Sequence, residues 1–480
     1  MSAELFVGRA KELEELGSLF SKKSSSLVVI RGRRRIGKSR LAKEFAKNDR
    51  FLRFSGSPPR SDTTAQEERD IFMRQICQQT SLPEGQYDDW SKLFQLFATQ
   101  TEKGRVIILF DEISWMGSKD PGFLGKLKTA WDLLFSENPQ LILILCGSVS
   151  YWIEKNILAS TGFMGRISLD IVLEELPLSD CNELLIKKGS KANAYEKFKL
   201  FSITGGVPRY LEEIKPKLSA NENIKRLCFS KSGVLFREFN DIFHDLFTTK
   251  SHYYKKMVEL LLEGSLEYSE ICKRLKVEKG GHWALHLEEL IQAGFLKKDY
   301  TWNIKTGKIS RFNKYRLSDN YLRFYLKYIE TNKAKIEKGD FEERALSSFP
   351  GWDSIMSLQF ENLVLNNAKY IWKKLGLNVN DIVTHGAYFQ NTTKLHQGCQ
   401  IDYLIKTRHN TLFACEIKFS RNAIGSDILN EMKQKIDRLI LPRGYSCWPV
   451  LIHVNGVSDA VNESEYFSRI IDFTESLSQV

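Results

Sequence analysis

The sequence has no uninterrupted apolar run of about 18 residues, so nothing in it reads as a membrane span. Its opening stretch, MSAELFVGRAKELEEL, lacks the apolar core of a secretory leader and is acidic as much as basic. The cysteines (Cys77, Cys146, Cys181, Cys228, Cys272, Cys399, Cys415 and Cys447) stand singly, with no CxxC spacing. That excludes a zinc ribbon and a disulfide framework, and it fits a reducing cytoplasm. Low-complexity tracts and internal repeats are also missing. With 42% hydrophobic and 27% charged residues, the composition is that of a soluble globular protein. A chain of 480 residues is long enough for about two to four domains, each with its own core.

The net charge is +11, and its location matters more than its size. Residues 351–480 hold 13 Lys+Arg against 13 Asp+Glu, so the excess lies in the first 350. A basic balance is compatible with nucleic acid, although alone it mostly reports solubility.

Three apolar runs, Leu27–Ile30, Val106–Phe110 and Leu141–Leu145, are continuous rather than alternating, as strands buried on both faces are. Amphipathic stretches between them predict a multidomain α/β protein whose residues 1–215 form a doubly wound parallel sheet. Residues 216–250 read as a helical connector, and residues 251–330 as short helices followed by two strands. Residues 331–350 read as a charged, solvated helix or linker: a Lys/Glu-rich stretch from Glu330 to Glu343, then a break at Pro350-Gly351. Residues 351–480 read as a separate α/β unit.

Directly after the first strand comes GRRRIGKS, followed by a good helix, RLAKEFAK. This is a phosphate-binding loop in its required context of strand, glycine-bounded loop and helix. Gly32 and Gly37 let the backbone curl so that N–H groups of Arg33 to Lys38, with Ile36 between the basic residues and Gly37, face phosphates. Lys38 would reach the β- and γ-phosphates of ATP, and the Ser39 hydroxyl would ligate Mg²⁺. Arg33, Arg34 and Arg35 either add positive potential there or, for at least two of them, point outwards into solvent. VIILFDE ends the second strand in Asp111, which would hold Mg²⁺ through water, and Glu112, which would polarise the hydrolytic water. Ser148, after LILILCG, stands at another strand end, where it would sense the γ-phosphate.

These pieces resemble the AAA+/STAND ATPases, specifically the archaeal-type branch of prokaryotic ATPases. FVGR at Phe6–Arg9 is similar to that family's adenine-side box, and GRRRIGKS, ILFDE and CGS follow in the expected order. GFMGR ends in Arg166, where the family has an arginine acting on the γ-phosphate, in cis or from a neighbouring subunit. GGVPRYL is similar to its nucleotide-sensing helix start, which implies that Arg209 reports nucleotide state.

Residues 252–319 predict three helices and a two-stranded wing, a winged helix, as the resemblance also implies. Lys297, Lys298, Lys305, Lys308, Arg311, Lys314 and Arg316 face a single acid, Asp299, which suits sequence-independent phosphate contacts. Glu288 and Glu289 on the third helix disfavour base-specific reading. DNA contact and an internal hinge are both open for this domain. His282 and His286 have metal-ligand spacing without a third ligand in frame, and read as a packed or surface pair.

In the last unit FENLV puts Glu361 on a helix, GCQIDYLIK puts Asp402 at the start of a strand, and LFACEIKFS puts Glu416 and Lys418 two apart on the next. Strand alternation sends Glu416 and Lys418 to one face, beside Asp402. Two carboxylates suit Mg²⁺ or Mn²⁺, and a lysine can orient or deprotonate an attacking water. The order resembles the PD-(D/E)xK nuclease fold, a restriction-endonuclease-like α/β domain, which implies catalytic roles for Glu361, Asp402, Glu416 and Lys418. Cys415 reads as a small core residue.

The expectation is therefore a cytoplasmic ATP- and Mg²⁺-dependent AAA+/STAND switch. It is coupled through a winged helix to a nuclease-like domain acting on DNA without sequence preference. A homo-oligomer is compatible with the sequence. The rival is a signalling ATPase whose last domain only binds a partner or nucleic acid.

Overall fold

The computed structural model describes residues 5–148, 150–247, 251–341, 345–394 and 396–478. The chain divides into two units, the first comprising Met1–Glu175 with His244–Thr248 and Gln292–Gly294, the second the remainder from Leu176.

In the first unit, β1 (Ser26–Gly32), β2 (Arg50–Ser55), β3 (Val106–Asp111), β4 (Leu141–Gly147) and β5 (Ile167–Leu173) form one sheet in the order β2-β3-β4-β1-β5. Every neighbouring pair is parallel, so the carboxyl ends of all strands share one edge. In open α/β sheets that edge is where ligands bind. Leu41 and Ala42 of the helix Lys38–Phe45 pack on one face with Val28, Ile30 and Ile144. The other face carries Phe54, Phe72, Phe94, Phe97 and Phe110, whose rings meet largely edge to face.

β2 is an edge strand, and two glutamines of the helix Ala65–Gln79 close it. Gln79 donates to the Arg53 carbonyl (2.7 Å) and accepts from the Arg53 N–H (2.7 Å). Gln75 does the same for Ser55, at 3.0 and 2.7 Å. Backbone groups that would otherwise template another chain are thereby satisfied.

In the second unit the helices Ser251–Leu260, Tyr268–Leu275 and Gly281–Gln292 precede an antiparallel pair, β6 (Leu296–Trp302) and β7 (Ile309–Leu317). β8 (Ile382–Gln390), β9 (Cys399–Thr407), β10 (Thr411–Lys418), β11 (Ser446–His453) and β12 (Arg469–Asp472) form a second sheet in the order β12-β11-β10-β9-β8. It is antiparallel from β8 to β10 and parallel from β10 to β12.

The hairpin is not separate from this sheet. Trp302 and Ile304 are buried among Tyr388, Ile401, Leu404, Leu412 and Met432. The Thr301 hydroxyl donates to the Phe389 carbonyl (2.9 Å), while Lys406 Nζ (2.9 Å) and Tyr445 OH (3.0 Å) donate to the Lys305 carbonyl. The expected independence of residues 251–330 and 351–480 fails here, because the apolar residues near the hairpin turn have no other core to enter.

The stretch expected as a solvated linker is also packed. It carries the helix Lys333–Lys338, buries Ile336, Phe341, Leu346 and Phe349, and sets Phe229 against Phe341 and Phe349 at 4.8 and 5.3 Å. Glu343 lies outside the described residues, as do residues 248–250 of the connector and 1–4 of the opening stretch. The connector otherwise holds the helices Ala220–Cys228 and Val234–Phe247. Near the chain's end, the buried Lys197 ammonium donates to Asn182 Oδ1 (2.7 Å) and to the Leu477 carbonyl (3.0 Å). Among the described residues no helix is long and apolar enough to cross a membrane.

Truncating the hairpin anchor, Trp302→Ala, is expected to cost about 3–5 kcal/mol, read as an earlier denaturant midpoint for the second unit. Lys308→Ala, at an exposed position of the same hairpin, should stay within about 0.5 kcal/mol of wild type. A Trp302→Ala protein as stable as wild type would show that the hairpin is not anchored there.

Candidate functional site

Gly32 leaves β1 at φ 146°, and a Cβ there would lie 2.4 Å from the Leu173 carbonyl oxygen, so the close approach of β5 demands glycine. Gly37, at φ 95°, turns the chain into the helix Lys38–Phe45. Between them the loop wraps the Lys38 ammonium, which is buried and donates to the carbonyls of Gly32 (3.0 Å) and Arg33 (3.1 Å). Ile36 is buried beneath the loop, and its carbonyl accepts from Arg9 (3.2 Å), which also donates to the Glu174 carbonyl (2.7 Å). Arg9 of the FVGR segment thus fastens the loop to the chain following β5.

Of the arginine triplet, one member does not point into solvent. Arg33 is buried because Glu175 pairs with it at 3.2 Å. Arg34 lies over the Trp115 ring at 6.0 Å, and Arg34 and Arg35 are both half-buried.

Asp111 ends β3 buried, and its Oδ2 accepts from Ser39 Oγ (2.7 Å) and from an Arg53 guanidinium nitrogen (2.7 Å). Just beyond, Glu112 sits at φ 52°, a conformation few non-glycine residues adopt and one that recurs at functional sites. That turn lets the Ile113 N–H reach the Cys146 carbonyl (2.9 Å) and aims the Glu112 carboxylate at Ser148, which donates to it from N (3.1 Å) and Oγ (2.9 Å). Lys38, Ser39, Asp111, Glu112 and Ser148 are thus gathered at the carboxyl edge of the sheet. Arg53, which the sequence analysis did not anticipate, joins them from the end of β2.

Arg166 is not gathered there. It precedes β5, whose Ile167 is level with Leu27 at the opposite end of β1, about 17 Å along the strand from Gly32. Its guanidinium is held by both oxygens of Asp132 (2.6 and 2.9 Å). Action on its own phosphate loop is excluded by that distance, leaving the neighbouring-subunit alternative. Arg209 belongs to the second unit and pairs with Glu212 (3.4 Å) and Glu213 (2.8 Å).

The acidic residues of the second unit do converge. The β9–β10 register runs to Tyr403 opposite Cys415, and Asp402 Oδ2 accepts the Ile417 N–H (3.0 Å), so Asp402 and Glu416 stand side by side. Burial pushes Glu416 up to about 7, with the Asp402 charge adding and Lys435 opposing. Asp402 is raised as well, chiefly by burial. Glu361, on the helix Trp352–Asn366, is pushed up to about 7 by burial and then by Asp402, against the pull of Arg316 and Arg323.

Two lysines act on these carboxylates, the expected Lys418 and also Lys435, both drawing the protons of Asp402 and Glu416 away. Lys418 ends β10 and donates to Glu431 (2.7 Å). Lys435, on the helix Asp427–Arg438, donates to Glu416 and lies 3.9 Å from Asp402. Cys415 is fully buried, and burial raises its thiol far from thiolate chemistry.

Much of the basic hairpin is engaged within the chain. Arg316 is buried on Asp299 (2.7 Å), the acid expected to oppose the whole wing, and also donates to Asn362. Lys298 lies between the rings of Tyr300 and Tyr315 (5.3 Å each), Lys314 lies over Phe389 (4.7 Å), and Lys297 donates to Asn366 (2.9 Å). Lys305, Lys308 and Arg311 remain exposed. On the third helix Glu288 is exposed, but Glu289 accepts from Tyr254 OH and lies 3.2 Å from His286 Nδ1. His286 is therefore an internal partner, and among the described residues no three His, Cys, Asp or Glu side chains form a metal-binding group.

A phosphate cradle at the carboxyl edge of a parallel sheet, with a serine on a strand-end aspartate, defines a P-loop nucleotide-binding domain. Residues 6–214 match the family described as an ATPase domain predominantly from Archaea. The uncharacterized protein MJECL04 of Methanocaldococcus jannaschii is 25% identical over 346 residues, 70% of this chain and 72% of its own length. The uncharacterized ATP-binding protein MJ0423 of the same organism is 39% identical over 51 residues, 11% of this chain and 86% of its own length. The Walker-type ATPase PABY2304 of Pyrococcus abyssi shares the fold at TM-score 0.52 and 18% identity, over 67% of this chain and 96% of that one.

Glu361 in the folded chain keeps its proton up to about pH 7, whereas its ordinary value is 4.5. The folded state therefore binds more protons than the unfolded one between those values, and stability falls as pH rises through that window. Glu361→Gln should reduce the loss of melting temperature between about pH 5 and about pH 8. An undiminished loss would mean that Glu361 is ionised throughout.

Proposed function

We infer that this chain is an ATP-driven switch whose second unit carries a metal-dependent phosphodiesterase centre acting on DNA. For the first unit, Lys38 would hold the β- and γ-phosphates, and the oxygen-only pair Ser39 and Asp111 suits Mg²⁺. Bound Mg²⁺ would supply charge neutralisation across the phosphates. Glu112 would orient the attacking water, and since Ser148 engages it through two hydrogen bonds, release of that grip is the step that arms the site. Arg166 would act from a neighbouring copy, and Arg209 would report nucleotide state to the second unit. Residues 251–330 would serve as a winged-helix relay, with Lys305, Lys308 and Arg311 left for phosphate contact.

The observation that carries the phosphodiesterase reading is the cluster that buried Glu416 makes with the partly covered Asp402 and Lys435, with Glu361 raised beside them. Carboxylates pushed towards neutrality by burial and by one another are more typical of working sites than of packing. Asp402 and Glu416 would hold Mg²⁺ or Mn²⁺, and Lys435 is the ammonium placed to orient water there. The rival, a signalling ATPase whose last sheet only binds a partner, draws support from the hairpin lysines already engaged within the chain.

Supercoiled plasmid incubated with Mg²⁺ or Mn²⁺, with and without ATP, separates the two readings. Wild type should nick it. Asp402→Ala should abolish nicking, and Lys435→Ala should slow it by about 100-fold or more, while Lys418→Ala should have little effect. In parallel, Lys38→Ala should lose ATP hydrolysis without losing its fold. Absence of nicking under every condition would favour the signalling ATPase.

A further inference from the structure

Arg53 is anchored in a way that an ordinary half-exposed arginine is not. Both of its backbone polar groups are held by Gln79 (2.7 Å each), while its side chain, 52% exposed, reaches across to Asp111 Oδ2 (2.7 Å). Ser55, two residues on, is paired level with Asp111, so Arg53 approaches from the neighbouring strand at the phosphate end of the sheet. The oxygen it takes is the one that also accepts from Ser39. A guanidinium thus lies against the oxygens expected to serve a divalent cation, neutralising a carboxylate that is otherwise buried.

We propose that Arg53 is a nucleotide-state switch acting within its own chain, an inference that rests on the ATPase-site reading. Arg53 neutralises Asp111, and Ser39 donates to the same carboxylate oxygen. Arg53 and Mg²⁺ compete for the same aspartate, so a Mg²⁺-nucleotide releases the guanidinium. The freed side chain, its backbone still clamped by Gln79, stays at the carboxyl edge and interacts with the terminal phosphate of a triphosphate. A diphosphate offers it no such partner. Arg53 therefore favours ATP over ADP, a positioning role distinct from that of Arg166.

Calorimetric titration of ATPγS and ADP in Mg²⁺ into wild type, Arg53→Ala, Arg53→Lys and Lys38→Ala tests this. Wild type should prefer ATPγS. Arg53→Ala should bind ADP at least as tightly as wild type and ATPγS more weakly, shrinking the preference by about tenfold, the worth of one charge-assisted hydrogen bond. Arg53→Lys should recover part of it. An unchanged preference in a folded Arg53→Ala protein overturns the proposal. If wild type binds neither nucleotide, the ATPase-site reading itself falls, whereas binding lost only in Lys38→Ala upholds it.

Discussion

Arg316 and Arg323 carry two guanidinium groups into the interior of the second unit, and the arrangement around Glu361 depends on how they are satisfied. Arg316 is met by Asp299 and Asn362; Arg323 donates to Gln359 (3.1 Å) and to the Leu317 carbonyl (2.7 Å). Asn320 and Gln359 then exchange side-chain-to-backbone hydrogen bonds, and Asn362 returns one to Leu317. The strand β7 and the helix Asn320–Phe324 after it are thus tied to the helix that bears Glu361 by polar groups that cannot slide as apolar ones can. Removing one partner would leave a buried charge uncompensated, a heavier loss than most apolar truncations. Burial lowers even Arg323, to about 9, so the interior is dry enough for each charge to matter to the next. Glu361 feels that directly. Two cations draw its proton away while burial and Asp402 push the other way, and burial wins.

The first unit obeys the same constraint with different means. Here the chain itself supplies partners to the groups expected to meet phosphate and cation. Backbone carbonyls take the Lys38 ammonium, Arg53 takes Asp111, and Ser148 takes Glu112. Each group expected to meet ligand already has an internal partner it would have to leave. On the proposed reading, nucleotide binding would be an exchange of partners involving several hydrogen bonds rather than one contact. That exchange gives a phosphate site leverage as a switch.

Sheet position decided which strands could be read from the sequence. β1, β3 and β4 are interior, buried on both faces, and their sequences are continuous apolar runs. β2 and β5 are the two edges. RFLRFS and ISLDIVL place Arg53 and Asp170 among their apolar residues because only part of an edge strand is covered. Missing β2 meant missing Arg53. Missing β5 left Arg166 without an address, since only its place before β5 reveals that it stands at the wrong end of the sheet. The phosphate loop needed no such context, because a strand, two glycines and a lysine–serine pair in one short segment specify their own geometry. The hairpin was legible as two strands but not as docked, since Trp302 and Ile304 sit among lysines and only the sheet they enter shows that they are core.

The lysine of the acidic centre shows the limit of local pattern more sharply. Alternation correctly puts Glu416 and Lys418 on one face of β10, but it says nothing about depth. Glu416 is buried and Lys418 sits at the strand's end, 38% exposed at its side chain, where Glu431 meets it. Four residues after Glu431 on the same helix comes Lys435, and that spacing lays both side chains on one helical face. One helix therefore supplies an acid to the outer lysine and a lysine to the inner acid, a reciprocal pairing across the face of the sheet. A short motif on one strand cannot encode it, because the second half lies on a helix whose packing is set by Ile428 and Met432 in the core. Contact rather than motif separates the two lysines: both draw on the Asp402 and Glu416 protons, but it is Lys435 that donates directly to Glu416 while Lys418 is taken by Glu431.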